Sequence, residues 1–264
     1  MCVDNRVIEY NPFAAAETPK ADPKKKNNRR ALTDEEQRWI RETPHRAQLS
    51  AMIMMYAGLR RGELLALQWT DIDLEACTIT ISRTVKFDNS DHPVIKSGGK
   101  TDNATRVVYI PQRLVNFLKQ QPRTSLYVVS TVKGRLMSAS AWRSLWDTYI
   151  KDLNIKYGNF GNIIGKDGKP MVHPKSKIRP GGVPIVIPRF TAHWLRHTYI
   201  SLLYMSGVDV LTAAKQAGHS DIKTTMEIYT HLDASHVKKN IDKLDEYLEE
   251  CMQSVCKNIN NTAV

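Results

Sequence analysis

From Leu32 onward the apolar positions fall into helical register. Leu49, Met52, Ile53 and Tyr56 recur three or four residues apart, and Leu64, Leu65 and Leu67 continue the pattern. Such spacing gathers side chains on one face of an α-helix. The first helix carries its own start signal. Thr33-Asp34-Glu35-Glu36 has the form of a capping box, in which the hydroxyl accepts the amide three residues on and the glutamate reaches back to the cap amide. The period then changes. Thr78-Ile79-Thr80-Ile81-Ser82 alternates and predicts a strand, with a second over Thr105 to Ile110. Between them, Asp88 to Gly99 reads as a turn-rich segment. Further helices are predicted after Pro111 and over Ser138 to Leu153, Ala192 to Met205, Val210 to Ala217 and Ile222 to Tyr229. A last helix, Ala234 to Met252, carries an apolar stripe at Val237, Ile241, Leu244, Leu248 and Cys251. No internal repeat is visible. The expected fold class is mostly α with a small antiparallel β-sheet (α+β).

Two segments break this rhythm. In residues 1–31 a short apolar stretch ends in Tyr10-Asn11-Pro12, and Lys20 to Arg30 then holds six basic residues against one acid. Pro19, Pro23 and the Lys24-Lys25-Lys26 run argue against a packed helix, so 1–31 is expected to be an extended basic linker or tail. Residues 32–264 form the domain proper. Within it, 155–189 is rich in glycine and proline, and its basic side chains face a single acid, Asp167. That composition predicts a long loop or a β-excursion, and loops of such length are usually functional or disordered.

Composition narrows the partner. The chain has 264 residues, with 38 Lys and Arg against 27 Asp and Glu, a formal net charge of +11. Such a balance favours a polyanion, nucleic acid above all. At 42% hydrophobic and 25% charged residues, collagen-like and disordered classes are excluded. No apolar run reaches the roughly 18 residues of a membrane span, and the first residues do not form a signal peptide. Cys2, Cys77, Cys251 and Cys256 are scattered without metal-ligand spacing, which fits a reducing cytoplasm.

The chemistry-bearing residues cluster in short stretches. Thr191-Ala192-His193-Trp194-Leu195-Arg196-His197-Thr198 sets His193 and Arg196 three apart, on one helix face. Gly218-His219-Ser220 follows, and Tyr229 comes ten residues after His219. Ala57-Gly58-Leu59-Arg60-Arg61-Gly62-Glu63-Leu64 lies near the start, and Lys100-Thr101 precedes Arg106. Two arginines and two histidines converging on one point would make a phosphate pocket, because guanidinium forks donate in pairs to nonbridging oxygens. A tyrosine beside that pocket is a nucleophile for phosphorus, its phenolate favoured by the surrounding positive charge. A lysine on a flexible hairpin can protonate the departing oxygen. Each residue alone also has an ordinary reading. Tyr229 could be a core aromatic, Arg60 a salt-bridge partner of Glu63, Lys100 a solvated loop lysine, and His219 a helix cap. His193 and His197 have zinc-pair spacing, but the glutamate of a zinc protease and any completing cysteine pair are missing.

Taken in order, these stretches resemble the catalytic domain of the tyrosine recombinases, the phage-integrase family, from about Leu32 to the end. The carriers are Gly58-Leu59-Arg60 with Gly62-Glu63-Leu64, Lys100-Thr101 with Arg106, His193-Trp194-Leu195-Arg196-His197-Thr198, Gly218-His219-Ser220 and Tyr229. The surroundings of Gly218 and Tyr229 look most like integrases of Gram-positive prophages and conjugative transposons. The resemblance implies that Arg60 and Arg196 bind the scissile phosphate, that Lys100 is the general acid toward the 5′-oxygen, and that His193 assists as acid, base or phosphate donor. It further implies that His219 hydrogen-bonds the phosphate and that Tyr229 is the nucleophile, leaving a 3′-phosphotyrosyl link. Glu63 is expected to orient the Arg60 helix end. Lys215-Gln216-Ala217 departs from a leucine-rich run in the family pattern and reads as a packing change.

The implied activity is site-specific DNA recombination, integrating or excising a mobile element, with no cofactor and no metal required. The implied partners are double-stranded DNA attachment or transposon-end sites, further copies of the chain in a dimer or tetramer joined through the C-terminal helix, and a DNA-bending accessory protein. No membrane partner is implied, and the location is cytoplasmic. The family's N-terminal core-binding domain is expected to be absent from this chain, and residues 155–189 are expected to add a DNA contact. A type IB topoisomerase-like relaxing enzyme and a non-cutting DNA-binding regulator remain as alternatives.

Overall fold

The computed structural model describes residues 30–97, 105–161, 164, 168–170 and 184–230, with backbone alone at Ser97, Tyr229 and Thr230. The basic segment before Arg30, Lys100, most of 155–189 and the helix expected over Ala234 to Met252 lie outside the described residues.

The capping box forms as the sequence predicts. Helix α1 (Asp34–Glu42) starts at Thr33, whose Oγ1 accepts the Glu36 amide at 3.2 Å while Glu36 Oε2 accepts the Thr33 amide at 2.9 Å. Glu36 also holds Arg30 at 2.6 Å, and Arg30 lies 5.1 Å over the Trp194 ring. The Leu32 amide donates to Thr198 Oγ1 at 2.9 Å. Helix α2 (Gln48–Ala57) is buried along almost its whole surface, with Ile53, Met54 and Met55 fully enclosed. It ends at Gly58, φ +66°, where a Cβ would stand 2.2 Å from the Tyr199 ring. Only glycine meets both the left-handed backbone and the close approach.

Helix α3 (Arg61–Ala66) packs on the hairpin of β3 (Arg83–Phe87) and β4 (Pro93–Ser97). A Cβ on Gly62 would lie 2.5 Å from Thr84 Oγ1, so glycine again permits the approach. This hairpin corrects the reading of Asp88 to Gly99 as turn throughout. Among its described residues only 88–92 turn, with Asp88 Oδ1 accepting the Ser90 and His92 amides at 2.9 and 2.8 Å. Val85 then pairs with Ile95 in an antiparallel register. The strand was masked by Pro93, a residue tolerated at a strand's first position. A second sheet orders β1 (Ile72–Asp73), β2 (Thr78–Ile81) and β5 (Arg106–Tyr109) as β1-β2-β5, all antiparallel. Among the described residues, therefore, two small antiparallel sheets stand where one was expected.

Helix α4 (Gln112–Lys119) follows Pro111, and α5 (Ala139–Tyr157) starts from the Ser138 cap. Helix α5 runs past the predicted Leu153 because its last turn is packed. Tyr157 stacks on Trp39 at 5.2 Å, and fully buried Asn154 accepts the Val186 and Ile187 amides at 2.8 and 3.2 Å. Of the long excursion, Ile164 and Pro170 form an antiparallel bridge. The returning chain is then guided by the Trp146 indole, which donates to Phe190 O at 3.0 Å. Helices α6 (Ala192–Met205), α7 (Val210–Ala217) and α8 (Lys223–Thr230) follow within a residue of prediction. Helix α6 lies against α2, so the core of α2 and the start of α6 share one wall. Truncating a residue such as Leu64 in this core costs on the order of 2–5 kcal/mol.

Candidate active site

Segments distant in sequence meet where α7 ends. Gly218, φ +66°, closes that helix as its left-handed cap, and the His219 amide returns to Ala214 O at 3.0 Å. Helix α3 begins at the same place. Its cap residue Arg60 donates its amide to Glu63 Oε2 at 2.8 Å, Nη1 to Glu63 Oε1 at 2.9 Å and Nη2 to Gly218 O at 2.6 Å. Glu63 therefore orients the Arg60 helix end, and the i,i+3 ion pair is part of that same interaction. The Arg60 side chain remains about half exposed, at 48%.

Arg196 approaches from α6. It is 3% exposed, donating Nη1 to Gly58 O at 2.5 Å and Nη2 to Ala217 O. Burial first, then the neighbouring Arg60 charge, bring its pKa down to about 9, so it stays cationic at neutral pH. The turn made by Gly58 and the turn made by Gly218 thus present carbonyls to one guanidinium. His219 completes this corner, its Nδ1 2.8 Å from the hydroxyl of buried Thr225. Burial, followed by the charges of Arg196, Arg60 and His197, lowers the His219 pKa to about 4. At neutral pH the ring is uncharged, with one N–H to donate.

His193 is exposed one turn before Arg196, its ring 4.9 Å from that of His197 in an edge-on arrangement. With Arg60 and Arg196 it lines a cleft of about 570 Å³ that also takes in Arg61, Arg143 and Phe190. Cations concentrated in a concave wall focus the field there and draw in anions. Arg60, His193, Arg196 and His219 are therefore brought together. Tyr229 falls in the last turn of α8, which packs on α6 and α7. Its phenol, like the whole of Lys100, lies outside the described residues. Among the described residues no His, Cys, Asp and Glu group is arranged to hold a metal ion, and no helix is long and apolar enough to cross a membrane.

The sequence pattern of the Phage integrase family matches residues 25–236. The chain belongs to the phage integrase family. Among similar family members, the tyrosine recombinase XerC-like protein of Caldanaerobacter subterraneus subsp. tengcongensis is 29% identical over 227 residues, covering 81% of this chain and 54% of that protein. The ICEBs1 integrase of Bacillus subtilis is 29% identical over 199 residues, 74% of this chain and 48% of that one. The chain thus spans about half the length of these curated relatives. The Tn1549 transposon integrase, solved in complex with circular intermediate DNA, superposes with a TM-score of 0.56 at 18% identity, covering 81% of this chain and 66% of that one. XerA recombinase gives 0.51 at 21% identity, covering 81% and 64%. At these identities the likeness establishes the fold, that of a tyrosine recombinase catalytic domain.

One site residue escaped the sequence reading. Arg106 was part of a matched stretch without a role, yet its fork grips Glu63, Nη1 to Oε1 at 3.0 Å and Nη2 to Oε2 at 2.9 Å. These two donors join Arg60 in holding Glu63. Burial opposes the charge on Glu63, but the Arg106 hydrogen bonds and charge, helped by Arg60, hold its pKa down at about 2. A signal was present: Arg106 alternates with buried Val108 on one strand face, and an arginine on a buried face requires a partner.

Proposed function

We propose that this chain is the catalytic portion of a site-specific DNA recombinase that cuts and rejoins DNA through a 3′-phosphotyrosyl intermediate, integrating or excising a mobile element. The observation that carries this is the convergence of Arg60 and Arg196 on the carbonyls of Gly218 and Ala217, beside His219. Neighbouring guanidiniums can donate to the nonbridging oxygens of a phosphodiester, and the charge that builds during displacement then meets donors already in place. In this reading Arg60 and Arg196 hold the scissile phosphate and neutral His219 donates one hydrogen bond to it. His193 serves as acid, base or phosphate donor. Tyr229 attacks phosphorus, forming the phosphotyrosyl ester as the P–O5′ bond breaks. Lys100 delivers the proton that makes the departing oxygen a 5′-hydroxyl, and a 5′-hydroxyl from a partner duplex reverses the step. Because the ester retains the bond energy, no ATP is consumed.

The substrate is duplex DNA at attachment or transposon-end sites, bound by self-associating copies with the C-terminal helix as the joint and a DNA-bending protein as helper. The shared family, the +11 net charge and the arginine-lined cleft support this. The test is a suicide duplex bearing a 5′-bridging phosphorothiolate. A covalent adduct with the parent chain, none with Tyr229→Phe, and a gel-shift ladder showing more than one protomer are expected. DNA binding without adduct would leave only a regulator, and relaxation of a plasmid lacking paired sites would point to a topoisomerase. Binding is expected to weaken steeply with salt as phosphate contacts displace counterions.

A further inference from the structure

We propose that Arg106 is a positioning residue of this site, one that frees the charge of Arg60 for the substrate phosphate and locks the end of α7 to the start of α3. The inference rests on the recombinase reading above. Arg106 opens β5, and its side chain is only 9% exposed, so it does not itself present a cationic face to DNA. What it does is complete a closed circuit. Arg60 holds Glu63 and Gly218 O; Arg106 holds the same carboxylate from its other side. The Arg106 Nε donates to Gln216 O at 3.3 Å, two residues before Gly218. Gln216 ties the same strand again, its Oε1 accepting the Tyr109 amide at 3.0 Å. Gly218 lies against the guanidinium so closely that a Cβ there would be 2.7 Å from Arg106 Cζ. The departure at Lys215-Gln216-Ala217, expected to be packing alone, is thus where this brace attaches.

Charge gives the arrangement its consequence. Arg60 and Glu63 alone would be a neutral pair facing an anion. With Arg106 matched to the carboxylate by its fork, the group of three carries one positive charge, and the outermost cation, half-exposed Arg60, is the one that can meet phosphate. Removing Arg106 both cancels that charge and releases the α7 corner.

Single-turnover adduct formation on the suicide duplex, with DNA affinity and melting measured in parallel, tests this in the full 264-residue chain. For Arg106→Gln, adduct formation is expected to fall by at least about tenfold while DNA affinity stays within about twofold. Tenfold in rate corresponds to about 1.4 kcal/mol of barrier. Adding Glu63→Gln to Arg106→Gln removes the negative charge that then cancels Arg60, so the double variant is expected to cleave faster than the single one. A purely structural brace would make it no faster. Parental cleavage by Arg106→Gln, or a double variant no faster than the single, overturns the proposal. If Arg106→Gln does not fold, Arg106→Lys decides, because it keeps the buried charge but loses the fork. A loss of at least about threefold at unchanged affinity supports the proposal, and a parental rate overturns it. Adduct with the parent and equally with every variant defeats this inference alone. No adduct with the parent defeats the recombinase reading and this with it.

Discussion

Gly58 and Tyr199 touch across the junction of α2 and α6. The ring edge occupies the place where any side chain at position 58 would begin, 2.2 Å from a notional Cβ. The same glycine turns its carbonyl toward Arg196. A packing requirement and the placement of Arg196 therefore fall on one residue.

The first prediction follows from that overlap. Gly58→Ala forces a left-handed residue and a clash at once, and strain of this kind costs on the order of 1–3 kcal/mol before the ring is displaced. Its denaturation midpoint is expected to drop clearly. Because the Gly58 carbonyl moves with the backbone, adduct formation is expected to fall further than the loss of folded protein explains. Chemical denaturation beside the suicide-substrate assay reads both effects. Parental stability would show that Tyr199 yields without cost.

The acid limb of stability is expected to depend on Glu63. Its folded-state pKa is depressed to about 2, whereas an unfolded glutamate titrates near about 4.3. Between those values the unfolded chain takes up the proton first, so the stabilisation present at neutral pH is lost as the pH falls through this window. Denaturation midpoints against pH are expected to fall steeply there. In a Glu63→Gln/Arg106→Gln chain that part of the slope should be absent; an unchanged slope would assign it to other carboxylates.

His219 offers a third measurement. Its folded-state pKa, about 4, lies below the ordinary histidine value of about 6.5. The unfolded chain therefore binds its proton first, and the group withdraws stability as the pH drops through that range. Arg60 is one of the charges that lower it, so Arg60→Ala is expected to raise the His219 midpoint. NMR titration of the imidazole carbon protons follows this directly. An unmoved midpoint would assign the depression to burial and the remaining charges.

Much of this architecture was legible from local pattern. The Thr33–Glu36 box, the alternation at Thr78–Ser82 and the three helices between Ala192 and Thr230 depend on neighbours in sequence, and they form as the pattern predicts. Four of the proposed site residues, Arg60, His193, Arg196 and His219, also come together. Pairings at long range were harder to see. Strand β4 is short, opens on Pro93 and pairs among the described residues with β3 alone, so it carries little periodic signal. Asn154 looked like one more polar residue near a helix end, yet it is buried because the chain returns to it more than thirty residues later. Arg106 hid for the same reason: its carboxylate lies 43 residues earlier and its carbonyl 110 residues later.

The clasp at Arg30 and Leu32 has a mechanical meaning. Arg30 rests on Trp194 and Leu32 is tied to Thr198, so the polypeptide enters α1 already fastened beside His193 and Arg196. Arg30 is also gripped by Glu36 of α1, so a pull on the chain ahead of residue 30 would be shared between α1 and the helix bearing those side chains, much as a rope made fast at two points loads both.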